Sequence, residues 1–332
     1  MGKTTTTVMR FEPATLDNVP LLIGLQGPPG GGKTYSALLL AKGIQVARPG
    51  PIRVIDTEGG RARKYSEEFE FETLELDAPR SDALQDALFA AITQDERPSC
   101  IIIDTVSEEH EELLEWHDQE IDKLLDDHER QVQKQRDRVG MSAWRRPKGA
   151  RRSLLKFLRK VRVPLIMTFR AEEKTKPIKT QVENRNGDTR EVAVPTPLGY
   201  QPIAPAQIIH MMDLMCLLPL RAEGLPTWVT GNEYESFALK LPEFFKPLFA
   251  KPAKISPAQG TAMAVWALGQ TAEQRELLAE AQSKACDGYE PFAAWWRSIP
   301  IEKRGLLARE RDALVDCARK VDAGAHKAEL TQ

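Results

Sequence analysis

Gly27-Pro28-Pro29-Gly30-Gly31-Gly32-Lys33-Thr34 has the residue types and the spacing of a phosphate-binding loop, G-x-x-x-x-G-K-[ST]. Its glycines let successive backbone N–H groups converge on an anion, and Lys33 reaches the outer phosphates. The Thr34 hydroxyl suits a Mg²⁺ ion. A helix that starts here adds the partial positive charge of its N-terminus. The predicted nucleotide contacts therefore run through Gly27, Pro28, Pro29, Gly30, Gly31, Gly32, Lys33, Thr34 and Tyr35. A nucleoside triphosphate, ATP with Mg²⁺, is the expected ligand.

Such a loop works only between a strand and a helix, and the flanking residues supply both. Leu21–Leu25 is a short apolar run of the buried-strand kind, and Thr34–Lys42 reads as a helix without internal Pro or Gly. A second strand is predicted over Pro51–Ile55, followed at once by Asp56-Thr57-Glu58-Gly59-Gly60. In parallel α/β sheets, functional residues collect at the carboxyl ends of strands. Glu58 is thus the candidate that orients and deprotonates an attacking water; the alternative is a solvated loop glutamate. Cys100-Ile101-Ile102-Ile103-Asp104 is a third strand with a terminal carboxylate, the Walker-B arrangement. Asp104 with Thr34 would hold the Mg²⁺ shell, unless it only caps the next helix. A fourth strand, Val163–Arg170, ends in Thr168 and Arg170, either of which could sense the γ-phosphate. Arg170 as a plain surface charge is the competing reading. The predicted fold class is α/β, a P-loop NTPase core with a mainly parallel twisted sheet flanked by helices.

Together these pieces resemble the RecA-like ATPases. That family carries a catalytic glutamate just after its second core strand, where Glu58 stands, and an aromatic residue seven positions later that packs on adenine. Here that position is Tyr65. The chain looks most similar to phage-encoded RecA-like ATPases linked to single-strand annealing and recombination, the Sak group. The residues that carry this likeness are Asp56 to Ala62, Ile101 to Thr105, Met167 to Lys174 and Gly199-Tyr200-Gln201-Pro202, within roughly residues 20–245. The resemblance implies ATP bound between subunits of a homo-oligomer (ring or filament), Arg170 acting on the nucleotide, and single-stranded DNA as partner. Two departures stand out. Thr168-Phe169 replaces the Asn-Gln pair of RecA, and no mobile glycine-rich DNA loop is recognisable. Residues 174–188, with Asn186-Gly187, read instead as a β-hairpin insertion.

The charge reverses sign along the chain. Glu108, Glu109, Glu111, Glu112, Glu115, Asp118, Glu120 and Asp122 form an acidic run over residues 108–129. Leu114, His117, Ile121, Leu124 and Leu125 recur there at helical spacing, which predicts an amphipathic helix with a solvated acidic face. His117 is expected at its surface or core edge. From Arg130 to Arg162 cations dominate, and Gly140, Pro147 and Gly149 suggest a flexible loop. Trp144, Arg145, Arg146, Lys148, Arg151 and Arg152 are the candidate DNA contacts, the cations tracking phosphates and the ring stacking on a base. The alternative is a solvated basic helix paired with the acidic one.

Ile208–Leu218 reads as a late strand with Pro226–Thr230 as its partner, and His210 there as a core or edge histidine. A linker near Lys251–Pro257 separates residues 1–250, taken as the ATPase domain, from 256–332, a small helical module pinned by Phe292, Trp295 and Trp296 and able to dock a replication or recombination partner. The net charge of −2 gives no nucleic-acid signal for the whole chain, so any such signal is local. Cys100, Cys216, Cys286 and Cys317 are dispersed and read as buried thiols of a reduced, cytoplasmic protein, in the host cell if phage-encoded. No membrane span and no signal peptide is predicted, although Met1-Gly2 fits a loose acylation pattern. Two other functions fit the same loop. One is a small-molecule P-loop kinase with a basic lid; the other is a nucleotide-gated loader or adaptor.

Overall fold

The computed structural model describes residues 19–125, 133–183, 189–269, 272–307 and 310–329. Arg130, the Asn184–Asp188 turn and the N-terminal acylation pattern lie outside these residues. The chain divides into two units, Pro20–Ala264 and Val265–Gln332 with Met1–Val19.

The first unit follows the order β1 (Leu22–Gly27), α1 (Lys33–Ala47), β2 (Ile52–Asp56), β3 (Glu72–Glu75), α2 (Ser81–Thr93), β4 (Cys100–Asp104) and α3 (Val106–Leu124). It continues through α4 (Gln133–Ala143), α5 (Arg145–Leu158), β5 (Leu165–Glu183), β6 (Thr189–Pro202), α6 (Ala206–Met211), β7 (Leu214–Leu217), α7 (Glu233–Ser236) and α8 (Pro257–Ala267), which crosses its boundary. Seven strands form the sheet in the order β3-β2-β4-β5-β1-β7, with β6 pairing β5. Every pairing is parallel except β5 with β6.

Every residue of β1, β2 and β4 is buried, because crossover helices cover both faces of a parallel sheet. Ile101, Ile103, Leu165, Met167, Leu154 and Leu158 pack in one core cluster, joining β4 and β5 to α5. α1 buries Ala37, Leu38, Ala41 and Ile44. The edge strand β3 has no apolar alternation to announce it. Glu72 ties it to β2 through buried Arg53, at 2.6 Å.

The structure departs from four expectations. The presumed strand over Ile208–Leu218 is helix α6 followed by β7, because pairing with β1 begins only at Asp213. The Asp213 N–H donates to Leu22 O at 2.8 Å and its carboxylate accepts from Leu22 N at 2.7 Å. Thr227 meets β7 through an isolated bridge to Leu217, and His210 lies exposed against the Phe237 ring. The apolar stripe of α3 is rotated: Leu114 is 46% and Leu124 53% exposed, whereas Leu113 and Trp116 are buried. Glu109 and Glu120 are buried too, not solvated, because arginines from the following segment meet them. The expected basic loop is helical, forming α4 and α5. Pro147 falls in the first turn of α5, where a missing N–H loses no helical bond. Finally, Cys100 and Cys216 are buried but Cys286 and Cys317 are exposed.

β5 and β6 continue beyond the sheet as a two-stranded antiparallel arm, from Ala171↔Pro202 to Glu183↔Thr189, as the hairpin reading expects. The second unit contains α9 (Ala272–Cys286), α10 (Tyr289–Ser298), α11 (Ile301–Leu306) and α12 (Arg311–Glu329). Phe292 and Trp295 are buried in its core beside Leu277, Ala281 and Leu314, with Trp296 packed against them. Among the described residues, no helix is long and apolar enough to cross a membrane.

Candidate active site

The phosphate loop closes β1 onto α1. Gly32 takes the N-cap position with φ of 83°, a left-handed conformation that side chains resist. A Cβ on Gly31 would stand 2.4 Å from the Leu218 carbonyl oxygen, so the segment after β7 presses on the loop backbone. Lys33 Nζ donates to Gly27 O at 2.9 Å and Pro28 O at 3.0 Å, which folds the side chain over the loop. Burial lowers the Lys33 pKa, while the charges of Asp104 and Glu58 oppose that shift.

Asp104 is 3% exposed at the end of β4. Its Oδ2 accepts from Thr34 Oγ1 at 2.7 Å, and its Oδ1 accepts from Thr168 Oγ1. Burial pushes its pKa up, the two hydroxyl bonds oppose this, and Glu58 and Asp56 add to it. Thr105, rather than Asp104, caps α3 by accepting from Ser107 N. Asp104 is therefore free of the capping role, and Thr168, one of the two γ-phosphate candidates, is engaged with Asp104. Thr34 and Asp104 form a pair of hard oxygen donors, the chemistry that fits Mg²⁺. Among the described residues no cluster of three or more His, Cys, Asp or Glu could hold a metal ion.

Glu58 sits on a loop shaped by its neighbours. Asp56 is buried and its two oxygens accept from Glu58 N and Ala62 N, both at 2.8 Å. Sequence reading gave Asp56 no role, yet an Asp just before a Gly-Gly turn is the signature of such a side-chain-to-backbone bond. The Thr57 hydroxyl joins the loop to β4, donating to Thr105 O and accepting from Thr105 N, each at 2.8 Å. The Glu58 carboxylate lies 3.6 Å from Arg61 and is about one-fifth exposed.

Arg170 lies near the end of the buried part of β5, just before buried Ala171. Its N–H donates to Ser107 Oγ at 2.8 Å, and its Nη2 stands 2.8 Å from both Glu108 and Glu111. These are ion contacts without aligned hydrogen bonds. Burial raises the Glu108 pKa, with Arg170 opposing and Glu111 and Glu58 adding. Sequence reading missed Glu108 and Glu111 as partners of the site because both fall in the acidic run. Tyr65 stands beside Tyr35, ring centroids 5.8 Å apart, and Phe69 meets Tyr35 edge-on at 5.3 Å. Tyr35 also donates to Glu68 at 3.0 Å. Neither Phe69 nor Glu68 was anticipated.

The six candidate DNA contacts separate into two sets. Arg151 donates to Glu109 at 3.1 and 2.8 Å, and Arg146 reaches Glu120 at 3.3 Å. Trp144 stacks on His117 with centroids 4.0 Å apart. These three face α3. Arg145, Lys148 and Arg152 are exposed and continue with exposed Lys156 and Arg159. The spacing of three, four, four and three residues puts all five on one face of the helix. Lys148 lies over the Trp144 ring at 4.9 Å. Among the described residues none of the five forms an ion pair.

No curated protein matches the chain. The AAA domain family matches residues 20–196, just over half of the 332 residues, from the approach to β1 into β6. That span contains the phosphate loop, Glu58, Asp104, the basic helix and Arg170. The chain belongs to the AAA domain family, and residues 20–196 are its P-loop ATPase domain.

Proposed function

We propose that the chain is a Mg²⁺-dependent ATPase that couples hydrolysis to single-stranded DNA, in recombination or replication, as its resemblance to the phage RecA-like ATPases implies. Lys33 and the loop amides bind the phosphates. Thr34 and Asp104 would hold Mg²⁺, which would supply neutralisation of charge on the transferring phosphoryl group. Glu58, on its Asp56-braced loop, orients the attacking water and takes its proton. Tyr65, next to Tyr35, packs on the base. Arg170 responds to the γ-phosphate from its Glu108–Glu111 pair.

The cationic stripe of α5 carries the DNA part of this reading. Arg145 to Arg159 spans about 21 Å at about 1.5 Å per residue, enough to follow several phosphates of one strand. α5 is tied to the first turn of α3 by Arg151–Glu109, and the preceding residue, Glu108, meets Arg170. DNA on the stripe is thereby two contacts from the nucleotide sensor. The test is ATP hydrolysis with and without single-stranded DNA, in the native chain and in a variant with Arg145, Lys148, Arg152, Lys156 and Arg159 changed to Gln. Stimulation in the native chain that disappears in the variant is the expected result. Hydrolysis indifferent to DNA in both overturns the DNA reading and favours a kinase or a loader.

A further inference from the structure

Trp295 and Trp296 are consecutive on α10, so about 100° of helix separates them and they cannot serve one face. Trp295 turns into the core of the helical unit beside Phe292 and Leu314. Trp296 is half-buried and lines a cleft between α10 and α12 instead. The cleft has a volume of about 390 Å³, within the roughly 300–1,000 Å³ of ligand pockets. Tyr289, Ala293 and Trp296 reach it from α10 at helical spacing, and Arg311 and Val315 reach it from α12, one turn apart. The Tyr289 N–H donates to Asp322 of α12 at 3.0 Å, which fixes one end of the cleft. Arg319 stands over the Tyr289 ring at 5.3 Å and Arg311 over the Trp296 ring at 5.8 Å. A ligand therefore meets a preformed surface, which lowers the ordering cost of binding.

The polar groups of the cleft narrow what it takes. Arg297 and Arg311 both line it, both are exposed, and a guanidinium carries donors alone. Arg297 donates through Nε to Ala293 O at 3.2 Å and, among the described residues, has no carboxylate partner. Arg311 has, among the described residues, Asp312 alone, 3.9 Å away and 94% exposed. The indole N–H of Trp296 has no acceptor among the described residues. Two cations and an indole donor around aromatic rings suit a ligand that brings carboxylates beside a large apolar side chain. A polynucleotide fits less well. Glu290 lines the same cleft and repels phosphate, and residues 265–332 hold ten Lys and Arg against eleven Asp and Glu, which gives a phosphate backbone no track. A peptide accommodates Glu290, because its backbone N–H groups can donate to that carboxylate.

We propose that the α10–α12 cleft binds an acidic segment of a partner protein, seating a Phe or Leu side chain against Tyr289 and Trp296 and its flanking carboxylates on Arg297 and Arg311. The binding needs neither nucleotide nor DNA, so it stands or falls separately from the ATPase reading. The test is fluorescence anisotropy of the full chain with a dye-labelled peptide, Asp-Asp-Phe-Asp-Glu-Leu-Asp-Asp, without ATP or DNA. The native chain should bind it in the micromolar range. The same peptide with Ser in place of Phe and Leu should bind at least roughly tenfold more weakly. Arg297→Glu/Arg311→Glu should also lose at least roughly tenfold in affinity, with its melting temperature and ATP binding unchanged. That variant should in turn prefer a peptide with Lys in place of Asp and Glu. Lys320→Glu, outside the cleft, should bind as the native chain does. A native chain that does not bind the peptide, equal affinity for the serine peptide, or a double variant that binds as the native chain does overturns the proposal. Displacement of the peptide by oligothymidine also overturns it and assigns the cleft to nucleic acid. A native dimer that the double variant fails to form overturns it in favour of a second copy.

Discussion

Arg151 and Arg152 are neighbours on α5 with opposite surroundings, and exchanging each one tests what the basic helix does. Arg151 donates twice to Glu109, which is fully buried and, among the described residues, otherwise accepts from Ser81 alone. Arg151→Met keeps most of the side-chain volume but leaves that carboxylate buried without its cation. Breaking one partner of a buried pair costs about 3–5 kcal/mol. At about 2–4 °C per kcal/mol for a unit of this size, the melting temperature falls by about 6–20 °C. Adding Glu109→Gln to Arg151→Met removes the stranded charge and restores much of the loss. Arg152 is exposed, so Arg152→Ala changes stability by no more than about 0.5 kcal/mol. It should instead lower the slope of log affinity for single-stranded DNA against log salt by about 0.7, one phosphate contact. Calorimetry and a salt titration of DNA binding read the two effects. An Arg151→Met chain that melts within about 2 °C of the native one refutes the Glu109 clamp. An Arg152→Ala chain with an unaltered salt slope refutes the stripe.

Two further outcomes follow from the site. Glu58→Gln should keep ATP binding and lose hydrolysis by about 10²–10⁴-fold, measured as turnover against nucleotide affinity, and hydrolysis at the native rate removes Glu58 from the chemistry. Asp104→Asn should abolish Mg²⁺-dependent hydrolysis without lowering the melting temperature. Burial raises the Asp104 pKa above its unfolded value, so the folded state binds the extra proton and the ionised carboxylate destabilises it. This contribution is present at neutral pH and fades as pH falls through the raised pKa, so a calorimetric gain from Asp104→Asn at neutral pH should shrink on acidification, and a loss of stability at neutral pH contradicts it.

Much of the geometry of the candidate site was legible because its residues sit where short-range patterns are strongest. β1, β2 and β4 are short, mostly apolar runs bounded by turn residues; Asp104 ends β4, Glu58 stands two residues after β2, and Thr34 lies across the glycine loop from β1. The partners of Arg170 and Arg151 were not legible. Glu108 and Glu109 look alike in a run of acids, and only the rotation of α3 turns one toward β5 and the other toward α5. The stripe of α5 was hidden by Gly149 and Pro147, whose helix-breaking tendencies are overridden by Leu154 and Leu158 packing into the core. β3 escaped notice because an edge strand held by Arg53 needs no apolar alternation.

The cysteines split between the two units in a way that bears on how the chain can be probed. Cys100 and Cys216 are fully buried in β4 and β7, where burial raises both thiol pKa values, that of Cys216 to about 12. Cys286 and Cys317 are exposed on α9 and α12. The thiolate is the form that alkylating reagents attack, and access limits them further. A thiol-reactive fluorophore therefore marks the helical unit and spares the ATPase unit, so the native sequence already carries a selective spectroscopic handle on that unit alone.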